Sequence, residues 1–305
     1  MAIFERGETF VARASIRNRT STVTTPSTVS ISIFDPCGFT LVNSASMTSD
    51  ALGQYYRNYN LSSSATFGRY VTRIETVTSG NKTYEYGEFF IMPWDGIPDV
   101  RQTMGCQDAK SINDDDIANI LWNSYLYALR DVHTHHYKEN VGGNPNTGAG
   151  FDGINTSFQT LHYPIADING DGIVGGNNVS CATDMRVTWI NSAGHMANGI
   201  VTVTQAENGE ITITQSSGIA IPQNNKAVYL DYWVQYDGFD NFLFQQTAVR
   251  LACHEISKRF AALSEITLAN IKSNNPLIVV DPNMYWKEYQ RYLRKNRGII
   301  MGGVE

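Results

Sequence analysis

The sequence predicts an α+β protein: an N-terminal β-sandwich, a connector, and a helical domain interrupted by a β-rich insertion. Three observations carry this. Up to about residue 94, apolar and polar side chains alternate in short runs closed by turn residues, as in strands. Near Asn113 and Asp240, a capping residue precedes apolar positions at helical spacing. Between those two stretches lie a polar, glycine-rich segment and further alternating runs. A chain of 305 residues has room for two domains, each with its own core.

Taken in order, Phe10 to Ile16 alternates, and Val29, Ile31 and Ile33 point one way while Ser30 and Ser32 point the other. Asp35-Pro36-Cys37-Gly38 reads as a turn, because Pro presets φ and Gly accepts the left-handed region. Leu41-Val42, Gly53 to Tyr56, Gly68 to Ile74 and Tyr84 to Met92 follow as strands. Six or seven strands at this spacing predict a small sandwich of immunoglobulin type over residues 1 to 94. The pattern "dPcG…m…GqYyrnY…fGrYvtrI…gEFFI", residues 7 to 92, resembles the Ig-like modules of bacterial and viral surface proteins. Such modules bind or space, so no catalysis is expected here.

Residues 95 to 112 read as the connector, since Pro93, Pro98, Gly96 and Gly105 interrupt any regular element. Residues 113 to 305 form the expected helical domain. Ser111-Ile112-Asn113-Asp114 has the spacing of a capping box, with Asp115 and Asp116 adding negative charge to the first turn. Ile117, Ile120, Leu121, Ala128, Leu129 and Val132 then share one helical face, and the helix is expected to end near Tyr137. The insertion, about 140 to 236, opens on a glycine-rich loop. Its expected strands are Met185 to Ile190, Ile200 to Thr204, Ile211 to Thr214 and Ala227 to Tyr236. Asn208-Gly209 predicts a hairpin whose two turn residues both take positive φ. A second helix starts at Asp240-Asn241, and a third runs from about Pro282 to Arg297.

Composition narrows the function classes. Charged residues make up only 17% of the chain, and Tyr, Ser, Thr and Asn are plentiful, which favours permanent tyrosine-rich contacts over a freely diffusing enzyme. A net charge of -6 argues against nucleic-acid binding through phosphates. No run reaches the roughly 18 apolar residues of a membrane span. The start, MAIFERGETFVARASI, lacks an apolar h-region, so no secretory signal is expected and a cytosolic origin is the default. Cys37, Cys106, Cys181 and Cys253 are scattered and are expected to be reduced thiols.

The stretch "PWDGIPDVRQTMGCQDAKSINDDDIANILWNSYLYAL", followed by an insertion and "FLFQQTAVRLACHEISKRF", resembles head–tail adaptor (connector) proteins of tailed viruses. In these a V-R-x-x-x-G segment precedes a capped acidic turn and a long helix. The resemblance implies a non-enzymatic virion protein of the neck, assembled in the host cytoplasm as a ring of twelve subunits. It implies contacts with the portal protein and with the next neck or tail protein. It also implies portal docking through Tyr292, Arg294, Lys295, Arg297, Ile299, Ile300 and Met301. The Ig-like module is an addition to the family's minimal pattern, and an outward-facing decoration accommodates it.

"ADINGDGIVGG", residues 166 to 176, has the spacing of a calcium loop. Asp167, Asn169 and Asp171 fill positions 1, 3 and 5, Gly172 allows the sharp turn at 6, and Ile173 offers its carbonyl at 7. Position 12 is Asn178, which cannot give a bidentate charged clamp, and Asp184 is an outside substitute. Two readings stay open: a structural Ca2+ that staples the insertion, and a metal-free Asn-Gly/Asp-Gly turn. The first also fits a second function, a calcium-stabilised, dockerin-like cell-surface or carbohydrate-associated module. A third class, a metallohydrolase, would use His133 and His135 of "DVHTHH", but on a helix i and i+2 point about 200° apart. His162 and His195 stand alone in the sequence. No G-x-S-x-G, GxxxxGK[ST] or GxGxxG motif is present.

Overall fold

The computed structural model describes residues 3–17, 25–105, 112–144, 146–147, 156–176, 184–190, 196–214, 228–236, 240–267 and 282–296. The chain divides into two compact units, Met1–Pro98 with Asp108–Trp122, and Asp99–Gln107 with Asn123–Glu305.

The strands of the first unit are β1 (Ile3–Phe4), β2 (Thr9–Ser15), β3 (Thr28–Phe34), β4 (Thr40–Ser46), β5 (Thr48–Ala51), β6 (Gln54–Asn60), β7 (Gly68–Thr78) and β8 (Asn81–Ile91). They form one sheet in the order β1-β8-β7-β3-β4 and a second in the order β2-β6-β5. β1 pairs with β8 in parallel, and the other neighbours pair antiparallel. Alternation makes this a sandwich: Tyr70 and Ile74 of β7 and Ile31 and Ile33 of β3 are buried. They share one core with Ala12 and Ala14 of the opposite sheet. Phe10 of β2 stacks on Phe89 of β8 at 4.2 Å, and Tyr70 of β7 stacks on the same ring at 5.0 Å. Full burial of a side chain of this size stabilises by about 1.5–3 kcal/mol. The Tyr70 hydroxyl donates to the Thr66 carbonyl four residues upstream at 2.8 Å, as in the tyrosine corner of immunoglobulin-type sandwiches. Asp35 holds the expected turn by accepting from the backbone N–H groups of Cys37 and Phe39. Cys37 itself is disulfide-bonded. This corrects the expectation of four reduced thiols: a pairing set by folding leaves no spacing to read, and the partner lies outside the described residues. Cys253 is a buried, reduced thiol.

The remaining elements are α1 (Ile97–Met104), α2 (Asp114–Val132), β9 (Thr134–Asn140), β10 (Ser157–Gln159), β11 (Met185–Ile190), β12 (Met196–Asn198), β13 (Ile200–Gln205), β14 (Glu210–Thr214), β15 (Val228–Val234), α3 (Asn241–Thr267) and α4 (Pro282–Asn296). Helix α1 occupies the stretch expected to be irregular. Pro98 sits in its first turn, where the missing N–H has no partner to lose, and Asp95 accepts from the Ile97 N–H at 3.1 Å. Helix α2 is capped by Asn113, whose Oδ1 accepts from the Asp116 N–H at 2.7 Å. It ends at Val132 rather than near Tyr137, because Thr134–Asn140 joins β15 as strand β9. Asp240 caps α3 by accepting from the Phe242 and Leu243 N–H groups.

The insertion is built from two sheets, β12-β11-β15-β9 and β10-β14-β13. Their inner faces share a core that includes Phe158, Met185, Val187, Trp189, Val201, Ile211, Ile213, Leu230 and Tyr232. β13 and β14 form the expected hairpin, but through a short 3-10 turn, Ala206–Asn208, in which only Gly209 takes positive φ, 69°. The helices are tied by aromatics. Tyr125 of α2 meets Phe244 of α3 edge-on at 5.4 Å, and the buried Tyr289 of α4 donates to Asp131 of α2. Arg250 of α3 meets Glu288 and Tyr292, and His254 one turn later meets Trp286, so α3 and α4 run antiparallel. No helix among the described residues is long and apolar enough to cross a membrane.

Candidate functional site

The acidic loop lies between β10 and β11, and its side chains organise its backbone. Asp167 accepts from the Gly170 and Gly172 N–H groups, both at 2.7 Å. Asn169 Oδ1 accepts from Asp171 N–H at 3.0 Å, and Asp171 Oδ1 accepts from Ile173 N–H at 2.8 Å. Positions 1, 3 and 5 of the calcium-loop pattern therefore turn the chain inward in succession. Asp184, 1% exposed, closes the loop from outside: Oδ1 accepts from Ile168 and Asn169, and Oδ2 from Gly175.

Two glycines set the loop's position. Gly170 takes φ 71°, and a Cβ there would come within 2.8 Å of Leu126 and Tyr125 of α2, so the loop rests directly on that helix. A Cβ on Gly176 would lie 2.0 Å from the Val201 carbonyl oxygen of β13. Val174, the residue after Ile173, packs on the core of the insertion.

Burial pushes the Asp167 carboxyl up to about 7, helped by the neighbouring charges of Asp184 and Asp171. Burial pushes Asp184 up to about 6, against the three backbone N–H groups it accepts from. Carboxylates crowded in this way are relieved by a cation, and the all-oxygen donor set suits a hard ion such as Ca2+. Asp167, Asn169, Asp171 and Ile173 stand together in the loop, while Asn178 lies outside the described residues.

The histidines fall differently from the expectation. The "HTHH" segment is not the end of a helix: His135 and His136 belong to strand β9. His133 is buried at the end of α2, and burial lowers its pKa to about 4. His135 is exposed and stacks on Trp233 at 4.5 Å. The pair His133 and His135 therefore shares no site. His162, expected to stand alone, stacks instead on His136 at 4.3 Å, beside Glu139. Among the described residues this trio is the group of His, Cys, Asp or Glu whose ligand atoms all lie within 4.8 Å of one another. Sequence reasoning missed it because Glu139 and His162 lie 23 positions apart in the chain.

Of the docking residues, Tyr292, Arg294 and Lys295 stand on the last turns of α4, and Tyr292 lies under Arg250 at 5.7 Å and Lys295 at 5.2 Å. Arg297, Ile299, Ile300 and Met301 lie outside the described residues.

No protein-family model matches the chain, and no curated protein matches it. Several solved structures are similar at low level. CopC from Methylosinus trichosporium OB3b shares 18% identity at a TM-score of 0.23, covering 30% of this chain and 81% of that one. The Lin-41 filamin domain shares 21% identity at a TM-score of 0.23, covering 30% of this chain and 84% of its own. Trypsin-activated alpha-2-macroglobulin from Escherichia coli shares 11% identity at a TM-score of 0.25, covering 76% of this chain and 15% of its own. Likenesses of this size carry nothing about function.

Proposed function

We propose that the chain is a structural subunit of a tailed virus, a head–tail adaptor that assembles as a ring beneath the portal. The observation that carries this is the order of elements from Ile97 onward. A V-R-x-x-x-G segment lies on α1, an Asn-capped acidic turn opens α2, a β insertion follows, and α3 and α4 pack antiparallel behind it. That is the order the family resemblance implies, and the remaining parts follow from it. The ring of twelve, the portal contact through Tyr292 to Met301, the tail-side contact of the insertion and the outward Ig-like module belong to the same reading. Function is exerted through contacts, and Ca2+ at Asp167, Asn169, Asp171 and Ile173 has a structural role. Negative-stain electron microscopy of the concentrated protein, alone and mixed with portal protein, tests it. Rings with a central hole are expected; monomers that neither close into rings nor join the portal would rule it out.

A second reading rests on the acidic loop, whose hydrogen bonds follow the calcium-loop pattern position by position. In it the chain is a calcium-stabilised surface or carbohydrate-associated module. A calcium titration that leaves protease resistance unchanged removes its basis.

A further inference from the structure

Strand β9 departs from regular pairing at one point. His136 stands opposite Tyr232 and Glu139 opposite Leu230, so two residues of β9, Tyr137 and Lys138, face the single residue Asp231. Lys138 takes φ 53°, and its N–H donates to Asp231 Oδ1 at 2.8 Å. This is a β-bulge, and it changes which side chains share a face. In a regular strand, residues three apart point to opposite faces. Here the extra residue brings His136 and Glu139 together, with His136 Nδ1 at 2.8 Å from Glu139 Oε2.

The third group arrives from the segment after β10. Its backbone is anchored before His162, where Thr160 N–H donates to the Gly209 carbonyl at 2.9 Å. It is anchored after His162 as well, where Ala166 N–H donates to the Trp233 carbonyl at 2.9 Å. Thr160 Oγ1 donates to the His162 carbonyl at 2.7 Å, and the His162 N–H donates to the Tyr232 hydroxyl at 3.2 Å. His162 Nε2 then lies 3.6 Å from the same Glu139 Oε2.

The Tyr232 ring is fully buried, and its hydroxyl donates to Glu139 Oε1. One carboxylate oxygen is thereby held by the core while the other is turned to the two imidazoles. A buried donor that orients a ligating carboxylate is the usual outer support of a metal site.

We propose that His136, Glu139 and His162 bind a divalent transition-metal ion of the zinc class. Metal–nitrogen and metal–oxygen bonds of about 2.0–2.2 Å place the donors of a tetrahedral ion roughly 3.3 Å apart. The two distances from Glu139 Oε2, 2.8 and 3.6 Å, bracket that separation. Two imidazole nitrogens and one carboxylate select zinc-like ions over Ca2+ or Mg2+, which take oxygen donors. Three protein ligands would leave one position open to water or a further ligand, and the His162 side chain is 55% exposed. The site is separate from the acidic loop and does not depend on the adaptor reading.

The test uses the full-length chain, stripped with chelator and titrated with zinc chloride by calorimetry, with circular dichroism on every variant. One zinc per chain is expected. Binding should weaken at least about 100-fold in His162→Ala and in Glu139→Gln, about 10–100-fold in Tyr232→Phe, and not at all in Asp167→Asn. His162 sits half in solvent, so its replacement leaves the fold in place, and Glu139→Gln keeps the size of the side chain. Absence of zinc binding to the parent, or binding that folded His162→Ala and Glu139→Gln retain, overturns the site. In that case the trio is only a hydrogen-bonded brace for the bulge.

Discussion

His133 shows how much a single position depends on what surrounds it. It reads in the sequence as one of three clustered histidines, yet it is 6% exposed, and burial lowers its pKa to about 4. Its ordinary value in an unfolded chain is about 6.5. Between these values the unfolded state binds the proton and the folded state does not. The neutral His133 therefore costs nothing above pH about 6.5, and stability is lost as pH falls from there to about 4. The slope is at most about 1.4 kcal/mol per pH unit. Urea unfolding of the parent and of His133→Gln across that window checks this: the parent should lose stability the variant keeps. The candidate loop was legible at this scale, because Asp167, Asn169 and Asp171 carry its chemistry at i, i+2 and i+4. Asp184 was visible only as a nearby acid. Its three backbone hydrogen bonds depend on tertiary placement.

At the scale of elements, helix starts were readable to within two residues: the spacing put a capping box at Ser111, which lies outside the described residues, and the cap is Asn113. Asn113 and Asp240 start α2 and α3 because their side-chain oxygens satisfy backbone N–H groups that the helix cannot. Replacing Asn113 by Ala should cost about 1 kcal/mol, seen as a lower midpoint in thermal unfolding. The far end of α2 was not readable. Helical spacing continues past Val132 in the sequence, but β15 recruits Thr134–Asn140 as an edge strand. Competition between a local helix and a distant strand partner is settled by burial, and only the chain outside the window shows which wins. Helix α1 was missed for the opposite reason. Proline was read as a breaker where its place in the first turn makes it a starter.

For the whole molecule, some of the tyrosines serve the interior of unit two, where the buried Tyr285 and Tyr289 tie α4 to α1 and α2. The adaptor reading places the docking function at the end of α4. Deleting residues 294 to 305 should abolish binding to portal protein while circular dichroism and the thermal midpoint stay near the parent's, because the buried Tyr285, Tyr289 and Leu293 remain. Co-sedimentation with the portal reads the first and melting the second; a truncated chain that still docks would refute the assignment. In the proposed reading calcium acts at the same scale, since the acidic loop rests on α2 and is followed by β11. At a concentration 100 times the dissociation constant, Ca2+ should stabilise the parent by about 2.7 kcal/mol. In Asp167→Asn, thermal melts should show little of that gain.

What the sequence by itself determined was local and periodic. Alternation announced the sandwich, and helical spacing announced α2, α3 and α4, the first two after a polar start. The run of aspartates and glycines announced a loop folded around its own side chains. These follow from steric and hydrogen-bonding rules that act within a few residues. What only the tertiary structure decided was convergence: the disulfide at Cys37, the conversion of "THHYKEN" into a strand, and the meeting of His136, Glu139 and His162. The bulge at Lys138 changes the face of every side chain beyond it, and His162 arrives on a backbone fixed by residues far along the chain. Neither leaves a period in the sequence, because each exists only once β9 has paired with β15.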